Sequence, residues 1–348
     1  MAEAAAPGVA LPRVSSNSSG RRFFGFLKDL AKKKPLGFAG LLILLFMFVL
    51  AAIPQVFATN EPAQVGVGAR LQNYCLGPTD TFLCPTKVES SSVTGITTVT
   101  EGSLSLPLGT DQLQRDVYSR IIYGARSAVY IGLLAVSISS VLSLLIGVSC
   151  GYFGGKFDSV TQRFVDAIMA LPALVVLLAL PQMIGSWDMD GPLPFDEPQI
   201  TFFKLAVVLG FLGGAGGSRV IRSSVISVRS AQYLEAARVI GATDFRIMLR
   251  HVIPNIFGPL MVQATIGLGG VILAEAALSF LGFGVVDPNK PTWGQMLNLG
   301  QAISSVHLQA VVWPGLCIAL AVFSFNMLGD ALRDLLDPRL RGAKGGFG

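Results

Sequence analysis

Few residues of this chain have the type and spacing to do chemistry. Glu235 is followed by Ala236, Ala237 and Arg238, then by Gly241, Asp244, His251, Ile253 and Pro254, in one polar, helix-forming stretch between very hydrophobic segments. A carboxylate acting as general acid or base needs a proton partner within hydrogen-bond reach. Glu235 has no histidine, second carboxylate or metal cluster at a helical spacing, so its expected chemistry is an ion pair or hydrogen bond at a docking surface. His251 stands beside Arg250 in the same loop and is expected to make a structural hydrogen bond rather than relay protons. Glu275 is the only acid well inside an apolar segment, where a carboxylate is costly enough to be a functional candidate. Two readings of it stay open: contact with a substrate's ammonium group on a translocation path, or pairing with a neighbouring helix or partner.

Other chemistry is missing from the sequence. The phosphate loop G-x-x-x-x-G-K-[ST] occurs nowhere; GYFGGKF comes nearest but has Cys150 where the first glycine is required and Phe157 after the lysine. The chain therefore cannot itself be the ATPase of an ATP-driven system. His251 and His307 are the only histidines, and no Cys/His cluster has metal-ligand spacing, so no metal or cofactor is expected on this chain. Cys75 and Cys84 share the loop 59–107 and form the one expected disulfide. Cys150 and Cys317 fall in apolar segments as small fillers.

The elements that position these residues follow from composition. With 52% hydrophobic and 14% charged residues over 348 positions, and a mean hydropathy of +0.61, the chain is an integral membrane protein. Six segments are long and apolar enough to span a bilayer, at 36–58, 128–150, 164–185, 201–218, 257–281 and 308–330. Placing the N-terminus inside puts 19 of the 26 lysines and arginines on the cytoplasmic side, so both termini are expected there. The net charge of +5 speaks to topology and anionic lipid, and gives nucleic acid no support as a partner. The run 36–58 ends in Val56-Phe57-Ala58, a passable cleavage sequence, but its long leader argues for a retained anchor helix.

Between the spans, residues 1–20 have no apolar period and are expected to be a disordered tail, and 21–34 read as an interfacial amphipathic helix. Thr110 and Asp111 offer helix-cap chemistry for an amphipathic helix lying flat on the outer surface, with Leu113, Val117, Ile121 and Ile122 on one face and an Asp116 to Arg120 pair along it. Pro172 and Pro181 interrupt the third span. Gly210, Gly213, Gly214, Gly216 and Gly217 make the fourth smooth-sided, which suits close helix packing or a hinge.

The stretch Glu235-Ala-Ala-Arg-Val-Ile-Gly241 continuing to Val252-Ile-Pro-Asn255 resembles the EAA loop of the membrane subunits of bacterial ABC importers. His251 and Ile253 depart from its Ile and Leu slots. LGTDQLQRDVYSRIIYGAR (108–126), GYFGGKFDSV, LAEAALSFLGFG, PTWGQML and FNMLGDALRDLLDPRLR extend the resemblance over residues 108–341, to the C-type permease subunit of dipeptide, oligopeptide and nickel importers. Gln114 stands where that family usually has glycine, which predicts a more helical turn there.

The resemblance implies an all-α integral membrane protein with six transmembrane helices, the type I ABC importer transmembrane domain. It divides into a tail and interfacial helix at 1–35, a first span at 36–58, an outer loop with its helix at 59–125, a permease core at 126–332 holding the EAA loop 219–256, and a tail at 333–348. It implies a non-catalytic subunit of the bacterial inner membrane, half of a pore for peptides, or in the alternative for nickel chelates or another small solute. Its implied partners are a second homologous permease, one or two ATP-binding subunits that carry ATP and Mg, and an extracytoplasmic substrate-binding protein. Glu235, Ala236, Ala237, Arg238, Gly241 and Asp244 are the implied coupling residues. Ala236 and Ala237 would keep one helix face low for a partner's groove, Gly241 would end the helix, Asp244 would cap the next, and Pro254 would close the loop. A stand-alone secondary transporter is the rival from another class, and the spans offer it few ionisable relays.

Overall fold

The computed structural model describes residues 27–28, 30–68, 87–90, 97–100, 106–185, 197–285, 287–305 and 307–336. The expected disulfide pair, Cys75 and Cys84, lies outside the described residues, as do the tails 1–26 and 337–348. Helices dominate: α1 Pro35–Ala52, α2 Val117–Phe153, α3 Gly155–Ala170, α4 Ala173–Gly185, α5 Glu197–Arg229, α6 Gln232–Val239, α7 Asp244–Ile247, α8 Ile253–Phe280, α9 Trp293–Gln301 and α10 Gln309–Leu336. A two-stranded antiparallel ribbon, Lys87–Ser90 paired with Thr97–Thr100, interrupts the otherwise helical chain inside the loop 59–107.

Five helical stretches are long and apolar enough to cross a membrane, and α3 with α4 would make a sixth were they not bent by 85°. Of the two interruptions expected in the third span, 164–185, the one at Pro172 is present and the one at Pro181 is not. The residue before a proline is pushed out of the helical region; Leu171, before Pro172, is extended (φ −74°, ψ 137°) and ends α3. Pro181 breaks nothing, since α4 runs on through it to Gly185.

The region before the second span also differs from expectation. No separate helix lies flat there: α2 starts at Val117 and continues for 37 residues, about 55 Å at 1.5 Å per residue. Asp116 starts it, accepting from the Tyr118 backbone N–H at 3.0 Å and from Ser119 Oγ at 2.6 Å. That use of its carboxylate replaces the expected pair with Arg120, whose Nη1 donates instead to the Pro62 carbonyl at 3.0 Å. Thr59 Oγ1 also donates to Asp116, tying the chain after α1 to the start of α2. Asp111 caps no helix; it folds the preceding turn by accepting from the backbone N–H groups of Leu113 (2.8 Å) and Arg115 (2.9 Å).

That turn places Gln114 at φ +58°, the one described non-glycine residue with positive φ. The expected helical turn is therefore a left-handed one, and the missing family glycine is explained by the conformation it would relax. A side chain there costs about 1–2 kcal/mol, partly offset because glycine loses more entropy on folding. Gln114→Gly should stabilise the protein by about 0.5–1 kcal/mol, read as a higher thermal midpoint in detergent; a lower midpoint would show that the Gln114 side chain contributes more than its backbone costs.

Packing of α2 on α5 is close because glycines remove side chains between them. A Cβ on Gly210 would lie 2.7 Å from the Ala135 carbonyl oxygen, and one on Gly147 2.7 Å from that of Ser218. The smooth face of α5 is a packing surface, and the helix crosses its glycines without a break. At one end of the assembly Trp293 Nε1 donates to the Ile121 carbonyl at 3.0 Å, holding α9 on α2. At the other end basic residues gather. Lys34 pairs with Asp334, Arg219 with Asp166 (2.6 Å) and Arg222 with Asp158 (2.6 and 2.5 Å), and this basic end carries the polar stretch from Glu235 to Pro254.

Candidate functional site

The polar stretch folds as a short helix, a turn and the start of a long helix. The first, α6, ends by a paired backbone lock: Gly241 N–H donates to the Arg238 carbonyl (3.0 Å) and Ala242 N–H to the Ala237 carbonyl (3.1 Å). This lock needs the residue after the helix in the left-handed region, and Gly241 sits there at φ +81°. From Asp244 the chain is helical to Phe280, so Pro254 does not close the loop as expected. Proline lacks the N–H for an α-helical bond; the turn just before it, Met248–Val252, widens to a π-helix, and Ile253 N–H reaches back to the Met248 carbonyl. Such bulges are the usual way a helix absorbs a locally broken bond ladder.

One side of this stretch is anchored in the chain itself. Leu234, Ala237 and Ile247 are buried with Val148 and Tyr152 of α2, Ile221 and Val225 of α5, and Ile256 of α8. The polar stretch thus rests on the basic ends of three long helices at once. The expectation that Ala236 and Ala237 form one low face is corrected: neighbouring helical residues lie about 100° apart, and Ala237 turns inward while Ala236 stays exposed.

The other side faces outward and is apolar. Val239 is 87% exposed, Ile240 84% and Phe245 67%, with Tyr233 and Leu249 exposed beside them. Glu235 and Arg238 are exposed along the same short helix. Large aliphatic and aromatic side chains clustered on a polar rim mark a surface for contact with a protein or a membrane. The residue types of α6 invited this reading; the three largest apolar contributors, Val239, Ile240 and Phe245, were visible as apolar residues in a polar loop but not singled out.

Asp244 has a different task from the expected cap. Thr243 occupies the cap position without a side-chain bond, and the Asp244 carboxylate accepts from the Tyr152 hydroxyl at 2.6 Å. Arg238 lies over the Tyr152 ring at 5.5 Å. His251 packs its ring 6.5 Å from that of Tyr233, and its backbone carbonyl accepts from Asn255 Nδ2 at 2.7 Å. No proton relay is assembled around either residue.

A cavity of about 930 Å³ opens between the long helices. Its wall on α8 runs from Gly258 to Ala274, about 24 Å of helix. Ser139, Ser140 and Gln263 are polar on an otherwise apolar lining, Arg333 stands on it at the basic end, and among the described residues no carboxylate faces it. Gln263 Nε2 donates to Ser143 Oγ at 3.0 Å and Ser143 Oγ to the Gly214 carbonyl at 3.2 Å, pinning α8, α2 and α5 together. A glutamine in mid-span was the available signal for this contact, and it went unread.

Glu275 is not on that wall. It follows Ala274 and is rotated about 100° away, where it is 2% exposed. Ser279 Oγ, one turn on in the same helix, donates to its Oε1 at 2.6 Å. Glu275 is therefore buried within α8, off the cavity wall. Among the described residues no group of three or more His, Cys, Asp and Glu could hold a metal ion.

Residues 143–342 match the family model described as binding-protein-dependent transport system inner membrane component. The chain is similar to a dipeptide transport system permease protein of Bacillus subtilis, 34% identical over 317 residues, covering 89% of this chain and 84% of that one. It is also similar to a di/tripeptide transport system permease protein of Pseudomonas aeruginosa, 36% identical over 242 residues and covering 70% and 75%. Among solved structures, an inward-facing methionine ABC transporter aligns with a TM-score of 0.49 at 16% identity, covering 63% of this chain and 96% of that one.

Proposed function

The chain belongs to the family of binding-protein-dependent transport inner membrane components, and from that premise we propose that it is the permease subunit of an ATP-driven peptide importer. In this reading it lines half of a pore, its basic end faces the cytoplasm with both termini, and the outward side of α6 and α7 docks on a separate ATP-binding subunit. A second permease would complete the pore and an extracytoplasmic binding protein would deliver the peptide. The supporting observation is the shape of the coupling stretch: an exposed apolar face, Val239, Ile240 and Phe245, backed by side chains that root it in three long helices. A partner's movement on that face would reach α2, α5 and α8 together.

The cavity fits a peptide pathway in its chemistry. A few hydroxyls and an amide on an apolar wall can meet a peptide backbone without selecting one side-chain charge. ATP hydrolysis belongs to the partner, and this chain converts domain movement into a change of access.

Ile240→Glu is the direct test. Placing a charge at the centre of a desolvated interface costs well over 1 kcal/mol, so co-purification of ATP-binding subunits from the co-expressed complex should fall at least about tenfold. Undiminished co-purification would overturn the docking assignment. Uptake of labelled di- and oligopeptides by proteoliposomes holding the complex tests the substrate class.

A further inference from the structure

Tyr152 joins the coupling stretch to the end of α2, and nothing in its position along the chain marks it for that task. Its side chain is 3% exposed, with the hydroxyl 2.6 Å from Asp244 Oδ1 on α7 and the ring under the Arg238 guanidinium of α6 at 5.5 Å. One residue therefore touches both helices of the coupling stretch by polar contacts, within a cluster otherwise held by apolar packing. Apolar packing is non-directional and allows sliding. A short hydrogen bond to a carboxylate and a cation over an aromatic face fix direction as well as distance.

Just beyond Tyr152 the chain changes character. Gly154 and Gly155 both take positive φ, +66° and +60°, and α3 then leaves on its own course, held to α5 by the Asp158–Arg222 and Asp166–Arg219 pairs. Two consecutive left-handed glycines make a joint that side-chain-bearing residues would resist. α2, joined to α6 and α7, thus meets its end at this joint, where α3 departs and is held through its ion pairs to α5.

Resting on the importer reading, we propose that Tyr152 is the positioning residue that makes α2 move with the coupling stretch: its bonds to Asp244 and Arg238 turn displacement of α6 and α7 into displacement of α2, with Gly154–Gly155 as the point at which the chain turns into α3. Tyr152 touches neither substrate nor nucleotide. Its loss should leave assembly and hydrolysis in place and break their connection to transport.

The experiment uses the complete complex in proteoliposomes, with both permeases, the ATP-binding subunits and the binding protein, and compares wild type with Tyr152→Phe. The ratio of ATP hydrolysed to peptide imported should rise about tenfold, the factor expected from losing one hydrogen bond to a charged group, in a complex that still assembles with at most a small fall in thermal midpoint. Asp244→Asn, which weakens the same bond from its other end, should raise the ratio likewise, and the double variant should add little to either. Where Tyr152→Phe does not assemble, Asp244→Asn decides alone: a raised ratio supports the proposal and an unchanged one overturns it. An unchanged ratio, with or without a lowered midpoint, overturns the proposal, because a merely structural tyrosine moves stability and not the ratio. A wild-type complex that shows no peptide-stimulated hydrolysis overturns the importer reading instead, and the proposal with it.

Discussion

Gly241→Leu should leave the protein inserted and folded while reducing peptide uptake by about fivefold to thirtyfold. The factor follows from backbone conformation. Gly241 holds φ +81°, a region that costs a residue with a Cβ about 1–2 kcal/mol, and free energies of that size change a population by about 5–30-fold. The strain falls on the two bonds that terminate α6, from Gly241 N–H to Arg238 and from Ala242 N–H to Ala237, and those bonds set the angle at which Val239 and Ile240 face a partner. The first side-chain atom meets no obstacle, since a Cβ at Gly241 would have nothing within 4 Å, so the backbone conformation carries the effect. Asparagine tolerates the left-handed region better than other side chains, so Gly241→Asn should retain most uptake. The measurement is uptake together with binding-protein-stimulated hydrolysis in the reconstituted complex. Normal values of both for the leucine variant would show that the angle of α6 does not matter for coupling.

What the sequence made legible and what it hid divide along a physical line. Apolar runs of about 20 residues are local signals, and five of the expected spans stand as helices. The end of α6 was legible for the same reason, because the glycine that terminates it lies within the motif itself. The break of the third span at Pro172 was legible but its size was not, since periodicity does not report an 85° bend, and Pro181 suggested a second break that α4 does not make. Asp116 and Arg120 misled because helix spacing makes them neighbours only if no better partner is near. Ser119 and the chain after α1 claim Asp116, and the Pro62 carbonyl takes Arg120. Tyr152 was hidden because its partner, Asp244, is 92 residues away; only the fold of α2 against the coupling stretch makes them meet. Ala237 shows the limit within a motif, since its inward turn depends on Ile221 and Val225 of α5 waiting beneath it.

Glu275 is where a buried acid and a substrate-binding acid predict different experiments. Its carboxyl group accepts from Ser279 at 2.6 Å, close to a junction with α9 so tight that a Cβ on Gly294 would lie 2.3 Å from the Ala276 carbonyl oxygen. Glu275→Ala leaves the buried Ser279 hydroxyl without that acceptor and opens a cavity, so it should destabilise the complex by about 2–4 kcal/mol. Glu275→Gln preserves shape and an acceptor for Ser279, so the loss should be smaller, about 1 kcal/mol. Both variants should lower the thermal midpoint, and both should reduce uptake of free and N-terminally blocked peptides alike, because the group is buried within the packing and does not face the cavity. Measured side by side, a loss confined to peptides with a free ammonium group, in a complex of unchanged midpoint, would place Glu275 on the pathway and refute its role in packing.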